Sequence, residues 1–338
     1  MIGFRAGALR LFAGGLAVAV TAFAAGCGSD DSSKSQTDAS GQSTVKVGIL
    51  PYANIAPLYI GMERGFFKDE GITVKPQVFQ SGSEEVAALV SGSLQAAFIG
   101  YFTTSVPVSK GLPIKIVVNN DHEAESADKA WAALTLVKKD SDIKSVKDLA
   151  GKTVAVNALK SQAEVQNTAS WKKQGLDPGS VKLLEVPFPE MGAALERGSV
   201  DAINIAEPFS SAEMAKGARL IDTPLVTVAD GKGNFPNAGW ATTEKLMSQD
   251  SDVVEGMTRA LEKSVEYARE HPDAAKKVIP EFTSLTPEQV DKIRLPYWNA
   301  KVDRPLLETA IRLADETGVL DKPVAVDDIL APSARQFR

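Results

Sequence analysis

A chain of 338 residues, 44% hydrophobic and 24% charged, is long enough for two compact domains with sizeable cores. Its formal net charge of −6, without a basic cluster, excludes the electrostatic footprint of a nucleic-acid-binding protein. A single cysteine excludes an internal disulfide and a multi-cysteine metal site, and no metal or other cofactor is expected.

The N-terminus carries Arg5 and Arg10, an uncharged run over residues 11–26, and then Cys27. As a helix the run spans roughly 24 Å, short of the ~30 Å hydrocarbon core of a bilayer. Residues 1–26 therefore read as a signal peptide rather than a permanent membrane span. Ala24-Ala25-Gly26-Cys27 resembles a bacterial lipoprotein cleavage site, which implies that Cys27 carries the lipid and becomes the first mature residue. Residues 27–44 are rich in Ser, Asp, Gly and Gln without apolar periodicity, the composition of a flexible tether. Its reach is on the order of 20–25 Å. The expected location is extracytoplasmic, anchored by lipid to the outer face of the cell membrane.

Residues 45–50 are predicted as a strand, followed by the loop Pro51-Tyr52-Ala53-Asn54. The next helix has Pro57 in its first turn, where a missing N–H costs little, and Arg64-Gly65 at its end. Leu58, Met62 and Phe66 have helical spacing there. After a strand at 72–79, Ser81 and Glu84 form a capping-box pair opening another helix. A further strand is predicted at 114–118, and 131–137 reads as a strand leaving the first lobe. In the second lobe, strands at 153–156 and 181–186 flank a helix that Ser161 begins and Gly175 closes. Residues 238–243 read as the strand returning to the first lobe. Ser251–Glu270 is an amphipathic helix, with Val254, Met257, Leu261, Val265 and Ala268 along one stripe and Pro272 as its stop. Helices at 287–293 and 305–317 follow. The boundaries are thus 45–133 with 244–338 for lobe I, and 134–243 for lobe II.

One stretch occurs twice. Residues 87–111, AALVSGSLQAAFIGYFTTSVPVSKG, are echoed at a constant offset of 106 by residues 193–217, AALERGSVDAINIAEPFSSAEMAKG. Each copy reads as a helix end, a Gly stop, a short buried strand, a loop, and a second helix stopped by Lys-Gly. The echo makes Gly100-Tyr101-Phe102-Thr103 and Ala206-Glu207-Pro208-Phe209 counterparts. Ligands of open α/β sheets bind beyond the carboxyl ends of the strands, so both loops are expected to face one cleft.

The succession PYANIAPLYIGMERGFFKDEGI, strand, SGSEEVAALVSG, AAFIG resembles the nitrate/sulfonate/taurine-type substrate-binding proteins of ABC importers. The resemblance covers about residues 45–217 and runs more loosely to the C-terminus. It implies an α/β, two-lobed type II periplasmic-binding-protein fold with a hinge and a central ligand cleft. It also implies a monomer that hands a small-molecule ligand to ABC permease and ATPase subunits. Pyrimidine-forming thiamine synthases resemble these proteins too, but carry a cysteine-rich motif and a cofactor-binding lysine, whereas Cys27 is the only cysteine here. An enzyme of this fold is the alternative, as is an extracytoplasmic sensor or adhesion module.

No catalytic signature stands out: Gly-x-Ser-x-Gly, His-Glu-x-x-His and Gly-x-x-x-x-Gly-Lys are all missing from the sequence. His122 and His271 are read as surface or loop residues. Helix N-termini offer unpaired N–H groups and the positive end of a dipole, so Ser81, Gly82 and Ser83 in one lobe are candidate anion donors. Ser161 and Gln162 are their counterparts in the other. Lys160 stands where related proteins commonly have Gly, and supplies a point charge or narrows the loop. Tyr52, Asn54, Tyr101, Phe102 and Thr103 are candidate walls and hydrogen-bonding groups. Glu207 is the candidate partner for a ligand ammonium or N–H, with capping of the following helix as its other reading. Trp240 is a wall candidate or core. The expected ligand is taurine or an alkanesulfonate, then nitrate; a pyrimidine or an aromatic acid is the alternative.

Overall fold

Short apolar runs alternating with glycine-closed amphipathic stretches build two sheets in the computed structural model, which describes residues 36–37, 42–283 and 285–334. The first part of the chain supplies β1 (Gln36–Thr37), β2 (Ser43–Ile49), α1 (Ala56–Glu63), α2 (Phe66–Asp69), β3 (Ile72–Val78) and α3 (Gly82–Val90). It continues through β4 (Ala96–Gly100), α4 (Tyr101–Ser109) and β5 (Ile114–His122). The chain then crosses to β6 (Leu134–Val137), β7 (Thr153–Val156), α5 (Gln162–Lys173), β8 (Lys182–Glu185), α6 (Phe188–Arg197), β9 (Ala202–Ile205), α7 (Phe209–Ala215), β10 (Arg219–Asp222) and α8 (Pro224–Ala229). It returns as β11 (Pro236–Thr243) and ends with α9 (Glu244–Gln249), α10 (Ser251–Glu270), α11 (Pro272–Phe282), α12 (Pro287–Val290), β12 (Tyr297–Trp298), α13 (Arg304–Glu316) and α14 (Val326–Ile329).

The sequence echo has a direct structural counterpart. In the first sheet β2 lies parallel to β3 and β4, and β11 runs antiparallel between β4 and β5. In the second sheet β7 lies parallel to β8 and β9, and β6 runs antiparallel between β9 and β10. The registers match as well: Val47 pairs with Ala96 in one sheet, and Val154 pairs with Ala202 in the other. The same short Ala-led strand thus occupies the same place in both lobes.

Each sheet is covered on both faces, as a mostly parallel sheet requires. Val47 and Phe98 pack with Leu58, Met257, Leu261 and Val265 from α1 and α10 on one face of the first sheet. Leu89, Ile99 and Phe102 pack with Leu306 and Leu307 of α13 on the other. That second cluster also takes in Val165 and Ala169 of α5, so the lobes share apolar contact beside the cleft. In the second sheet Ile203 packs with Met191 and Leu195, while Val154 packs with Trp171. Among the described residues no helix is long and apolar enough to cross a membrane.

Several boundaries differ from expectation. The second-lobe boundary at 243 is corrected: β11 is a central strand of the first sheet, paired on both sides. β5 runs on to His122 instead of stopping at Val118, because the polar residues Asn119, Asn120 and Asp121 are buried and bonded to one another and to side chains from distant elements. Apolar periodicity is blind to such a strand. Pro272 does not merely end α10; it takes the first-turn position of α11, where a proline is well tolerated. The strand predicted at 131–137 starts only at Leu134. Within the expected tether, Gln36–Thr37 pairs antiparallel with the start of β2. The signal peptide and Cys27 lie outside the described residues.

Candidate functional site

Beyond the carboxyl ends of the parallel strands the two lobes face each other across a cleft. Lobe I contributes Tyr52, Asn54, Gly82, Phe98, Gly100, Thr103 and Asn237. The facing lobe contributes Asn157, Ser161, Gln162, Gln166, Phe188 and Asn204, and the crossing segment adds Trp131. Four helix N-termini reach this space, since Gly82, Gly100, Ser161 and Phe188 stand at the starts of α3, α4, α5 and α6. Their free N–H groups make the walls suited to an anionic or oxygen-rich group. Lining side chains are amides, hydroxyls, aromatic rings, Leu50 and alanine methyls, with no charged residue among them.

The lobes touch directly. Gln162 N donates to Thr103 Oγ1 at 3.2 Å, and Gln162 Nε2 donates to Asn237 Oδ1 at 2.6 Å. The rings of Tyr52 and Phe188 meet with centroids 5.0 Å apart. Gly100 permits the approach, because a Cβ there would overlap the Gln162 carbonyl group. The space left for water centres is about 80 Å³. One water needs about 10–15 Å³ on that measure, so the cleft holds a handful of waters or one small molecule.

Of the predicted residues, Tyr52, Asn54, Gly82, Thr103, Ser161 and Gln162 come together on this cleft. Ser81 caps α3 by accepting from Glu84 N at 3.3 Å, while the Glu84 carboxylate reaches one residue further out, to Gln80 N. Ser83 is exposed and stands away from the lining. The others stand away from the lining, Glu207 and Trp240 in the second of the two roles expected for each. No loop follows β4; Tyr101 begins α4 at once, its hydroxyl donates to Asn119 Oδ1, and Phe102 stacks on Phe235 in the core. Lys160 is exposed in a left-handed turn (φ 52°) outside the lining, and its backbone N–H is held by Glu164. Glu207 is fully buried and takes the capping role: it accepts from Ser211 N, Ser211 Oγ and Arg294 N. Burial lifts its carboxyl above the usual range against those three bonds. Trp240 is core, packed on Phe98 and donating to Asn120 Oδ1.

Sequence reading missed Trp131, Asn157, Gln166, Phe188, Asn204 and Asn237, yet the echo contained a signal for some of them. Applied to the cleft, the offset of 106 relates Gly82 to Phe188, Phe98 to Asn204 and Gly100 to Ala206, and all six line it. An asparagine inside the apolar run of β9 is the mark that was available.

His122, expected at the surface, is 1% exposed in β5, and burial pushes its pKa down to about 4. His271 is exposed. Beside His122, burial pushes Asp121 and Glu123 up to about 7, against bonds from three amides and four backbone N–H groups respectively. Among the described residues no group of three or more His, Cys, Asp or Glu is placed to hold a metal ion.

Two α/β lobes of matching topology, joined by two crossings and closing on a polar cleft, define the type II periplasmic-binding-protein fold. The alkanesulfonate-binding protein of Xanthomonas axonopodis pv. citri, solved with MOPS bound, has this fold: the TM-score is 0.70 at 18% identity, over 87% of this chain and 98% of that one. The chain belongs to the NMT1/THI5 like family, whose model matches residues 52–275. It is similar to a putative aliphatic sulfonates-binding protein of Bacillus subtilis, 27% identical over 93% of this chain and 92% of that protein. It is also similar to the taurine-binding periplasmic protein of Escherichia coli, 27% identical over 68% of this chain and 65% of that one.

Proposed function

We propose that the protein is the extracytoplasmic solute-binding component of an ABC importer, closing on a small polar ligand and delivering it to permease and ATPase subunits. The observation that carries this reading is a cleft lined by both lobes, so that one ligand touching both sides favours the closed arrangement. The helix N-termini suit a sulfonate or nitrate head group. Relatives named for aliphatic sulfonates and taurine support that class. The limited room favours taurine or a short alkanesulfonate. The aromatic walls Tyr52, Phe98, Trp131 and Phe188 favour a second reading, a small planar ring such as a pyrimidine or an aromatic acid.

A thermal-shift panel of taurine, propanesulfonate, nitrate, a pyrimidine and benzoate tests the assignment. Ligand at about a hundred times its dissociation constant stabilises by about 2.7 kcal/mol. Taurine and the sulfonate are expected to raise the melting temperature, to shrink the radius of gyration, and to be recovered chemically unchanged. Silence from the whole panel removes the solute class; conversion of the ligand by the protein alone turns the reading to an enzyme of the same fold.

The protein is further proposed to act as a monomer held to the membrane through lipid on Cys27, after removal of residues 1–26. That reading rests on the Arg-flanked apolar run and its Ala-Ala-Gly-Cys ending. Cys27→Ala is expected to abolish lipid labelling and release the protein from the membrane fraction. Full membrane retention of the variant shows instead a segment that spans the bilayer.

A further inference from the structure

Behind the cleft, Asp121 on β5 is 0% exposed and outside the lining. Its Oδ1 accepts from Asn237 Nδ2 at 2.7 Å, and its Oδ2 accepts from Asn54 Nδ2 at 3.0 Å and from Asn120 Nδ2 at 2.6 Å. A carboxylate only accepts, so it fixes which end of each amide turns toward it. Asn237 must present its Oδ1 to the other side, where it accepts from Gln162 Nε2 at 2.6 Å. Gln162 is then left with its Oε1, and Asn54 with its Oδ1. Gln166 belongs to a second chain that does not include Asp121: its Nε2 donates to Asn204 Oδ1 at 3.2 Å, and Asn204 Nδ2 donates to Thr135 Oγ1 at 3.4 Å, a hydroxyl able to donate or accept. The three remaining oxygens, on Asn54, Gln162 and Gln166, are buried with no protein donor in reach, and all three residues line the cleft. A buried acceptor left unpaired is costly, and a ligand donor relieves it.

We propose that Asp121 is a positioning residue that sets the polarity of Asn54, Asn237 and Gln162, so that the site presents acceptor oxygens and selects ligands bearing N–H donors, as an ammonium or a ring amino group. This deepens the solute-binding reading and rests on it. Recognition of the amine end, expected from Glu207, passes to neutral amide oxygens held in place by a carboxylate one layer further back. The anionic end keeps the helix N-termini.

The test uses isosteric pairs: taurine against propanesulfonate, which differ in donor capacity and in charge, and 4-aminopyrimidine against 4-methylpyrimidine, which are both neutral at about pH 8 and differ in donor capacity. The two pairs separate an aliphatic ammonium from a ring amino group. Titration calorimetry at about pH 8 is expected to show at least about a tenfold preference for the donor-bearing member of one pair, in line with the cost of an unpaired buried acceptor. Asp121→Asn lets the amides turn over, so the preference is expected to fall to about threefold or less while affinity for the methyl isostere changes little. Gln162→Met, which removes one acceptor and leaves Asp121 intact, is expected to reduce the preference as well. Equal affinity within both pairs in the unaltered protein overturns the proposal and leaves the solute-binding reading standing. Equal weakening of both members by Asp121→Asn also overturns it, because a merely structural residue acts that way. Should none of the four probes bind, the assigned solute class fails, and a neutron crystal structure at about pH 8, where Asp121 is ionised, decides the proposal alone. The Asn54 and Asn237 –ND2 groups turned toward Asp121 support it, and their carbonyl oxygens turned toward Asp121 overturn it.

Discussion

Replacing Glu123 by alanine is expected to remove on the order of 2–6 kcal/mol of folding stability. Glu123 is 0% exposed at the point where the chain leaves the first sheet. Its Oε1 accepts from Ala124 N at 2.8 Å and Trp131 N at 2.9 Å, and its Oε2 accepts from Ala132 N at 3.0 Å and Ala133 N at 3.3 Å. One carboxylate thus satisfies four backbone donors of the first crossing. Its backbone also ties that crossing to the second: Glu123 N donates to Phe235 O at 2.8 Å, and Asn234 Nδ2 donates to Glu123 O at 2.9 Å. Alanine removes both acceptors and leaves the N–H groups of the buried Trp131 and Ala133 without partners, each costing about 1–3 kcal/mol. Glutamine keeps one oxygen, and Glu123→Gln is expected to lose roughly half as much. Urea unfolding of the ligand-free protein measures both. An alanine variant within about 1 kcal/mol of the parent means that the carboxylate does not organise the crossing.

Stability is also expected to fall as pH rises from about 5 to about 8. Burial pushes Asp121 and Glu123 up to about 7, whereas in the unfolded chain both ionise near 4. Between those values the folded state holds two protons that the unfolded state has released, so their stabilising contribution is lost as pH climbs through about 7. His122 works the other way: pushed down to about 4 by burial, it refuses a proton that the unfolded chain binds up to about 6.5. Two acids outweigh one histidine below that point, and above it only the acids act. Buried Glu85, Glu207 and Asp222, all raised by desolvation, add to the same sign. Carboxyls lowered by ion pairs, such as Glu70 beside Arg259 and Asp327 beside Arg304, change their contribution only below about pH 5. Calorimetric melting across this range checks the slope, and Asp121→Asn is expected to flatten it. A melting temperature that rises toward pH 8 contradicts the desolvation of the cluster.

Sequence by itself determined whatever depends on local periodicity and on the backbone freedom of glycine. The stripe on α10 was legible to the residue because Val254, Met257, Leu261 and Val265 recur at helical spacing. Gly92, Gly198, Gly111 and Gly217 close their helices with positive φ in both copies of the echo, and the two lobes with equivalent strands follow from that pattern. The cleft's helix N-termini at Gly82 and Ser161 were legible for the same reason. Tertiary structure alone decided which polar side chains face a ligand and which serve the fold. Glu207, a ligand group by its place beside a strand end, is claimed by Ser211 and Arg294, the latter 87 residues away in sequence. Asn119, Asn120 and Asp121 look like the polar end of a strand, yet they are buried because Asn54, Asn237, Trp240 and Asn299 arrive from three other parts of the chain. Such partners are separated by 66 to 180 residues, and no short-range pattern records them. A buried polar group is stable only where its hydrogen bonds are met, so where those partners meet is a property of the fold.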